Sequence, residues 1–322
     1  MRKIGFIISK KENENRRAIV FEDLKKIKNL SELYFQENYF LNFGFSDNDV
    51  REIGANVKTY EEILEICDVI VEPKIGDSAD LDKIKNKILF GWIHATQNYE
   101  ITQSIIDANN TAIAFEKMFE DGRHSFNINN QIAGVAAIWH SMLCYGKQYT
   151  GLNVAILGNG NTSKGAVSAL TTLGANVRVY KKDEEEEFKK DLEKYDVLVN
   201  AILWDTNRKD HIIYKEDLKR LKKDCIIVDI SCDRNGGIQT CIPTTIENPT
   251  YFLDGILHYA VDHTPSFLYK DASKSISEEV VKYIDILVES QEENNLVLSN
   301  AIIIKNGNII DEEINIFQNR AK

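Results

Sequence analysis

Three basic side chains stand where apolar, strand-like runs give way to loops: Arg16 in ENRRA, Lys74 in DVIVEPKIG and His94 in ILFGWIHATQN. Loops held by parallel strands commonly carry chemistry. An arginine fork binds a carboxylate in bidentate fashion, a lysine can be desolvated toward neutrality, and a histidine exchanges protons near neutral pH. Taken singly, each has an ordinary explanation: Arg16 as a surface charge, Lys74 as part of a turn begun by Pro73, His94 as a core histidine with satisfied hydrogen bonds. Together they are the equipment for keto-acid chemistry. In the second half, IIVDISCDRNGG carries Asp233 just beyond a strand and YAVDHTPS carries Asp262 and His263. These are placed to reach the crevice outside the strand ends of an open α/β sheet, with hydrogen bonding to loop backbone as the alternative. Asp233 is the stronger candidate of the two carboxylates. Pro73 and Pro265, two of only four prolines, fix the backbone in or beside these strings.

A second kind of signal is GNGNTS, Gly158 to Ser163, which follows a strand and opens a helix. That context turns a GxGxxG-like string into a dinucleotide-binding signature. Gly158 permits the tight turn, Gly160 lets the backbone approach a pyrophosphate, and Asn161 opens the helix whose N-terminus stabilises the phosphate charge. Ser163 replaces the usual third glycine and is small enough for close packing. After the next strand an NAD enzyme offers a carboxylate to the ribose 2′-hydroxyl, but here the chain reads Tyr180-Lys181-Lys182. Two ammonium groups there predict a preference for NADP(H) over NAD, with lysines that merely flank a surface loop as the alternative and Asp183 as the nearest carboxylate.

These residues require an α/β framework to position them, and the chain supplies the pattern. From the start to about residue 120, β-rich runs alternate with charged, helix-patterned segments such as EDLKKIKNL, EEILEI and DLDKIKNK. Asn127 to Lys147, apolar at helical spacing with little charge, predicts a long connecting helix packed on most sides. Leu152 to Tyr180 reads as a complete βαβ unit, DVLVNAI and CIIVDIS as further strands, SISEEVVKYIDILVES as a helix, and NAIIIKNGNIID as a hairpin turning at Asn306-Gly307. The acidic run at Asp183 to Glu187 suits the solvated start of a helix.

Composition limits what such a molecule does. Its 322 residues suffice for about two domains. Hydrophobic residues at 43% and charged residues at 28% indicate a globular chain rather than a disordered one. The net charge of −11 opposes nucleic-acid and anionic-membrane partners, so the cations named above must create a locally basic site. No apolar run approaches the roughly 18 residues that span a bilayer, and IGFII is too short for a signal peptide, so a cytoplasmic protein is expected. Five cysteines without a CxxC pair predict buried thiols and no metal site.

The strings ENRRA, EPK, WIHATQ, AIAFEKM, ILGNGNTSKGA, VDISCDRNGG and VDHTPS occur in the order seen in the alanine dehydrogenase and lysine-forming saccharopine dehydrogenase group, which the chain resembles over nearly its whole length. WIHATQ and AVDHTPSFLYK are most similar to the branch that joins pyruvate to the side-chain amine of ornithine with NADPH. The resemblance implies two Rossmann-like domains with parallel sheets separated by a cleft: a discontinuous substrate domain of residues 1–126 plus 290–322, and a dinucleotide domain of 127–289. It implies Arg16 as the carboxylate-binding arginine, with Arg17 the alternative, and Lys74 and His94 as the acid–base pair. Glu116 becomes a nearby tuning carboxylate. Asp233 is placed near the nicotinamide ribose or the amine, and Asp262 and His263 near the nicotinamide. Gln97 stands where saccharopine dehydrogenases carry a lysine, which argues against a saccharopine substrate. Ornithine or lysine with pyruvate, and a homo-oligomer, are the implied partners. Alanine dehydrogenase or saccharopine-type chemistry is the nearest alternative, and a non-catalytic dinucleotide sensor the alternative from another class.

Overall fold

The computed structural model describes residues 1–205, 208–232 and 236–320. The chain divides into two compact units: Met1–Asn127 together with the stretch from Tyr269 onward, and Ile128–Leu268. In the first, strands β1 (Ile4–Phe6), β2 (Leu33–Gln36), β3 (Asn56–Lys58), β4 (Val69–Val71), β5 (Ile88–Gly91) and β6 (Thr111–Ala114) are interleaved with helices α1 (Asp47–Glu52), α2 (Tyr60–Ile66) and α3 (Tyr99–Asp107). A small hairpin, β7 (Phe119–Glu120) and β8 (Arg123–His124), follows. Ser46 and Thr59 open α1 and α2 through capping boxes, and Asn98 caps α3. EDLKKIKNL and DLDKIKNK, which read as helix-patterned, form only short 3₁₀ turns at Phe21–Lys26 and Leu81–Lys83. Their apolar residues explain this: Leu24, Ile27 and Leu30, and likewise Leu81 and Ile84, recur every third residue, the period of a 3₁₀ rather than an α-helix.

The second unit opens with α4 (Asn127–Tyr145) at its boundary and continues through β9 (Asn153–Leu157), α5 (Asn161–Thr172), β10 (Asn176–Tyr180), α6 (Glu185–Lys190), β11 (Val197–Asn200), β12 (Ile226–Asp229), β13 (Thr250–Leu253) and β14 (Ile256–Tyr259). The chain then returns to the first unit with α7 (Tyr269–Val288), α8 (Leu296–Ala301), β15 (Ile302–Lys305), β16 (Asn308–Ile309) and α9 (Glu312–Gln318). The hairpin expected at Asn306-Gly307 joins β15 to β16, both turn residues having positive φ.

Among the described residues the first unit's sheet runs β16-β15-β6-β5-β4-β1-β2-β3, parallel from β3 to β6 with β15 and β16 antiparallel at the edge. Alternation along the strands feeds two cores. Val69, Val71, Phe90 and Ile113 point into one, Ile70, Leu89 and Ala112 into the other. The second sheet runs β10-β9-β11-β12-β14-β13 and is parallel except for β13. Leu157, Leu198 and Ile227 fill one of its faces, Ile156, Val199 and Val228 the other.

The return to the first unit begins at Tyr269, ahead of the boundary expected near 290, because α7 belongs to the first core. Ile276, Val280, Ile284 and Leu287 are fully buried in it. The helix also carries two buried hydroxyls that complete the backbone after ENRRA: Ser273 Oγ accepts from Arg17 N at 2.8 Å, and Ser277 Oγ accepts from Val20 N at 3.0 Å while donating to Asp23 at 2.5 Å. Ser277→Ala orphans a buried N–H and a buried carboxylate oxygen, a loss of about 1–3 kcal/mol. Urea unfolding should show that loss, and hydrogen exchange should show lost protection in α7 and after Arg17; unchanged stability would contradict this account of the boundary.

Candidate active site and nucleotide-binding turn

In an open parallel sheet, ligands bind at the carboxyl ends of the strands where the strand order reverses. In the first sheet that reversal lies between β1 and β4. The residues just beyond those strands are Ser9–Arg17 and Glu72–Asp77, so the ENRRA and EPK strings fall at the switch point. His94 follows β5, the neighbour of β4.

The loops after β4 and β5 are laced together by backbone. Trp92 N donates to Pro73 O, and Gly76 N to Trp92 O, each at 3.0 Å. A side chain at Gly76 would put its Cβ 1.9 Å from Ile93 O, so only glycine permits this approach. The approach brings His94 and Lys74 to one carboxylate that the sequence reading passed over. Asp77 Oδ2 lies 2.9 Å from Lys74 Nζ, 3.3 Å from His94 Nδ1 and 3.5 Å from Lys11 Nζ. Burial opposes charge on Asp77, but Lys74, His94 and Lys11 override it and hold the carboxyl far below its ordinary range. The spacing KxxD in PKIGD was the available signal.

His94 itself has φ of +56°, an unfavourable backbone for a side chain with a Cβ. Glu116 over-determines it: the carboxylate accepts from Ile93 N at 3.1 Å and from His94 N at 2.7 Å. Glu116 thus grips the backbone that presents the imidazole. Gln97 is exposed in the following turn.

The two arginines of ENRRA are both buried and have separate engagements. Arg16 donates through Nε and Nη2 to the two oxygens of Glu14, at 2.8 and 2.6 Å, and its guanidinium lies 5.4 Å from the Trp92 ring centre. Burial works against charge on Glu14, yet Arg16 brings its carboxyl below the ordinary value. Arg17 donates to the carbonyls of Tyr39, Asn15 and Arg16, a structural clasp on its own loop. Next to them sits Glu72, fully buried, with neither oxygen meeting a donor in hydrogen-bonding geometry among the described residues. Burial, then repulsion from Glu14 and Asp77, pushes its carboxyl up to about 7, against the opposing pull of Ser9 and Lys74.

In the second sheet β10 and β11 flank β9, so the reversal falls at the end of β9, where GNGNTS begins. Gly158 has φ of +97°, and its N donates to Tyr180 O at 2.8 Å. A Cβ on Gly160 would meet nothing within 4 Å, and Gly160 caps α5 with no side-chain acceptor. An open cradle facing uncapped helix N–H groups fits a pyrophosphate. Ser163 is buried at the helix base, while the closest helix contact is made two residues later: a Cβ on Gly165 would lie 1.9 Å from Gln131 O of α4. Lys181 and Lys182 are exposed beyond β10. His263 is buried, with Nδ1 2.6 Å from Asp262 Oδ1. Asp233 lies outside the described residues. Asn200 and Asp229, aligned at the ends of β11 and β12, form a buried amide–carboxylate pair at 3.0 Å that was not anticipated.

The family model described as "Alanine dehydrogenase/PNT, C-terminal domain" matches residues 133–314, and its N-terminal counterpart matches 8–136. The chain belongs to the alanine dehydrogenase/PNT family. It is 31% identical to N(5)-(carboxyethyl)ornithine synthase of Clostridium botulinum, with 90% of this chain and 99% of that protein covered. Identity to the N(5)-(carboxyethyl)ornithine synthase of Lactococcus lactis is 27%, over 85% and 92% respectively. Among solved structures, an L-alanine dehydrogenase superposes with a TM-score of 0.80 at 19% identity, covering 98% of this chain and 99% of that one. As a member of the alanine dehydrogenase/PNT family the chain is an NAD(P)-dependent amino-acid oxidoreductase with Rossmann-type units. No helix among the described residues is long and apolar enough to cross a membrane. Of its five cysteines, Cys67, Cys225 and Cys241 are buried, whereas Cys144 and Cys232 are half-buried at the margins of the second unit's cores.

The Glu72 environment gives a pH-dependent outcome. A carboxyl raised from 4.5 to about 7 binds its proton more tightly folded than unfolded, so its contribution to stability falls as pH rises between those values and stays lost above them. Glu72→Gln should therefore be more stable than the parent, by on the order of 3 kcal/mol at pH 8.5 and by much less at pH 5. Denaturant melts of both proteins at the two pH values measure this; a pH-independent difference would show that Glu72 is ionised in the fold.

Proposed function

We propose that this enzyme carries out the NADPH-dependent reductive condensation of pyruvate with the side-chain amine of ornithine or lysine, forming N(5)-(carboxyethyl)ornithine or its lysine counterpart. The observation that carries the reading is the convergence of Lys74, His94 and Lys11 on Asp77 beside the Arg16–Glu14 pair. That arrangement offers fixed positive charge for a keto acid and an imidazole for proton transfer, with a carboxylate keeping the cations in place.

Arg16, oriented by Glu14, is assigned to the carboxylate of pyruvate. Lys74 polarises the ketone, raising the electrophilicity of its carbon toward the uncharged amine. The nitrogen adds to that carbon with transfer of a proton, and the carbinolamine expels its hydroxyl as water to leave an imine. His94 accepts and returns the protons of these two steps, and its neighbour Asp77 orients the ring through Nδ1. The dinucleotide supplies a hydride to the imine carbon. One keto acid, one amine, one NADPH and one proton thus give a secondary amine, NADP⁺ and water. Gly158, Gly160, Asn161 and Ser163 form the pyrophosphate turn, Lys181 and Lys182 favour the 2′-phosphate, and Asp262 with His263 is assigned to the nicotinamide end, as is Asp233 by its place in the sequence.

A shallow depression of about 510 Å³ beside Asp77 supports an amino acid as the amine donor. Lys11 borders it together with three carboxylates, Asp77, Asp82 and Glu100, a cation to meet an α-carboxylate and anions to meet an α-ammonium. Ammonia, the donor for an alanine dehydrogenase, needs no such site.

The decisive assay follows oxidation of NADPH with pyruvate while the amine is varied. Turnover should require ornithine or lysine; turnover with ammonium alone would make the enzyme an alanine dehydrogenase, and binding without turnover a sensor. Lys74→Met and His94→Ala should each lower kcat by about 10²- to 10⁴-fold, and unaltered kcat in both would remove the acid–base assignment.

A further inference from the structure

We propose that Arg208 is a switchable cation of the nucleotide site, held by Glu185 and Asp210 and passed to the 2′-phosphate when NADP(H) binds. The inference rests on reading the Gly158 turn as the dinucleotide site and adds the residue that discriminates between the two dinucleotides.

The topology makes the placement unusual. Arg208 follows β11, and Glu185 opens α6 after β10, yet β9 lies between those two strands. The Arg208–Glu185 bridge therefore joins the segments that follow the two strands flanking β9, the strand that ends in the Gly158 turn. Its geometry is that of a phosphate clamp. Arg208 Nη1 and Nη2 donate to the two Glu185 oxygens at 2.7 and 2.9 Å, and Nε and Nη2 to the two Asp210 oxygens at 2.9 and 2.8 Å. The guanidinium lies on the buried Trp204 ring, 4.6 Å from its centre, which fixes its plane.

No carboxylate stands at the end of β10 itself, and the nearest, Asp183, is exposed three residues further on. Tyr180 ends β10 with its hydroxyl turned inward to Tyr195 and Asp191. The acidic run that follows is largely committed elsewhere: Glu184 accepts from Lys181 N, Glu186 pairs with Lys189 and Glu187 with Arg178. Glu185 instead holds Arg208, in a bidentate mode that a phosphate dianion reproduces oxygen for oxygen. A 2′-hydroxyl cannot displace a carboxylate from that fork, whereas a phosphate, with Lys181 and Lys182 beside it, can. NADPH exchanges one ion pair for another, and NADH leaves Arg208 where it is.

Direct titration of the full chain with NADPH, NADH, adenosine 2′,5′-bisphosphate and 5′-AMP, by nucleotide fluorescence or calorimetry, tests the switch without turnover. Arg208→Ala should raise the Kd for NADPH and the bisphosphate about 10- to 100-fold while moving NADH and 5′-AMP less than about threefold. Glu185→Gln should tighten NADPH several-fold, a gain no misfolded variant produces, and the gain should vanish in the Arg208→Ala background. Equal weakening of both nucleotides by Arg208→Ala, an unaltered NADPH affinity, or a Glu185→Gln gain that survives without Arg208 would each overturn the assignment while leaving the dinucleotide site standing. Failure of the parent protein to bind either nucleotide would overturn the site and the switch together.

Discussion

The arrangement in the first unit depends on one constraint, the backbone contact that Gly76 allows between the loops after β4 and β5. Without it Lys74 and His94 would belong to separate strand ends; with it they share Asp77. The energetic consequence is mutual. Two ammonium groups and an imidazole are gathered within 3.5 Å of one carboxylate, and that carboxylate offsets the repulsion between the two lysines. Removing one partner from a fully buried ion pair costs about 3–5 kcal/mol, and the partial exposure of Asp77 and His94 places this cluster below that limit. The cluster thus requires its counter-ion while Asp77 and His94 stay partly open to solvent.

The strain at His94 belongs to the same design. A left-handed backbone at a non-glycine residue costs on the order of 1 kcal/mol, and the two N–H groups anchored on Glu116 offset it. What the strain achieves is direction: the chain turns sharply after β5, aiming the imidazole back toward the loop after β4 instead of along the strand. Glu116 therefore acts through the peptide backbone, a different way of tuning a histidine from placing a charge beside its ring.

Much of this was legible in the residues, and the illegible part has a common physical cause. Strand-forming runs, the long α4 helix, the Gly158 turn and the Asn306-Gly307 hairpin are local patterns, written in consecutive residues. Arg16, Lys74 and His94 could be singled out because a charged residue after an apolar run is locally conspicuous. Asp77, Glu72 and Asn200–Asp229 were missed because their importance lies in partners far away in sequence or in burial, neither of which a string displays. The choice between Arg16 and Arg17 was open for the same reason. The structure separates them by engagement, one on a carboxylate and the other on three backbone carbonyls. The early start of the C-terminal return was hidden too, since an amphipathic helix shows that it has a buried face and not which core receives it.

The two sheets solve the same problem with different strand orders. In the first the reversal lies between β1 and β4, in the second at β9, and in both the polar residues begin where the apolar strands end. Glu72 and Asp229 make the parallel concrete. Each sits at or just past the end of a central parallel strand, fully buried, with its acidity weakened chiefly by desolvation. Asp229 differs in having Asn200 and Cys232 N as donors, which tie the end of β12 to its neighbour and to the following loop. Neither oxygen of Glu72 meets such a donor among the described residues, and the charges acting on it are those of Glu14, Asp77 and Lys74. A buried carboxyl whose oxygens meet no donor among the described residues is costly to keep ionised, which is why burial pushes this one up to about 7. The fold thus uses one strand-end carboxyl to tie β12 to β11 through a single oxygen in the unit that carries the glycine turn, and sets the other at the end of β4 beside Glu14, Lys74 and Asp77.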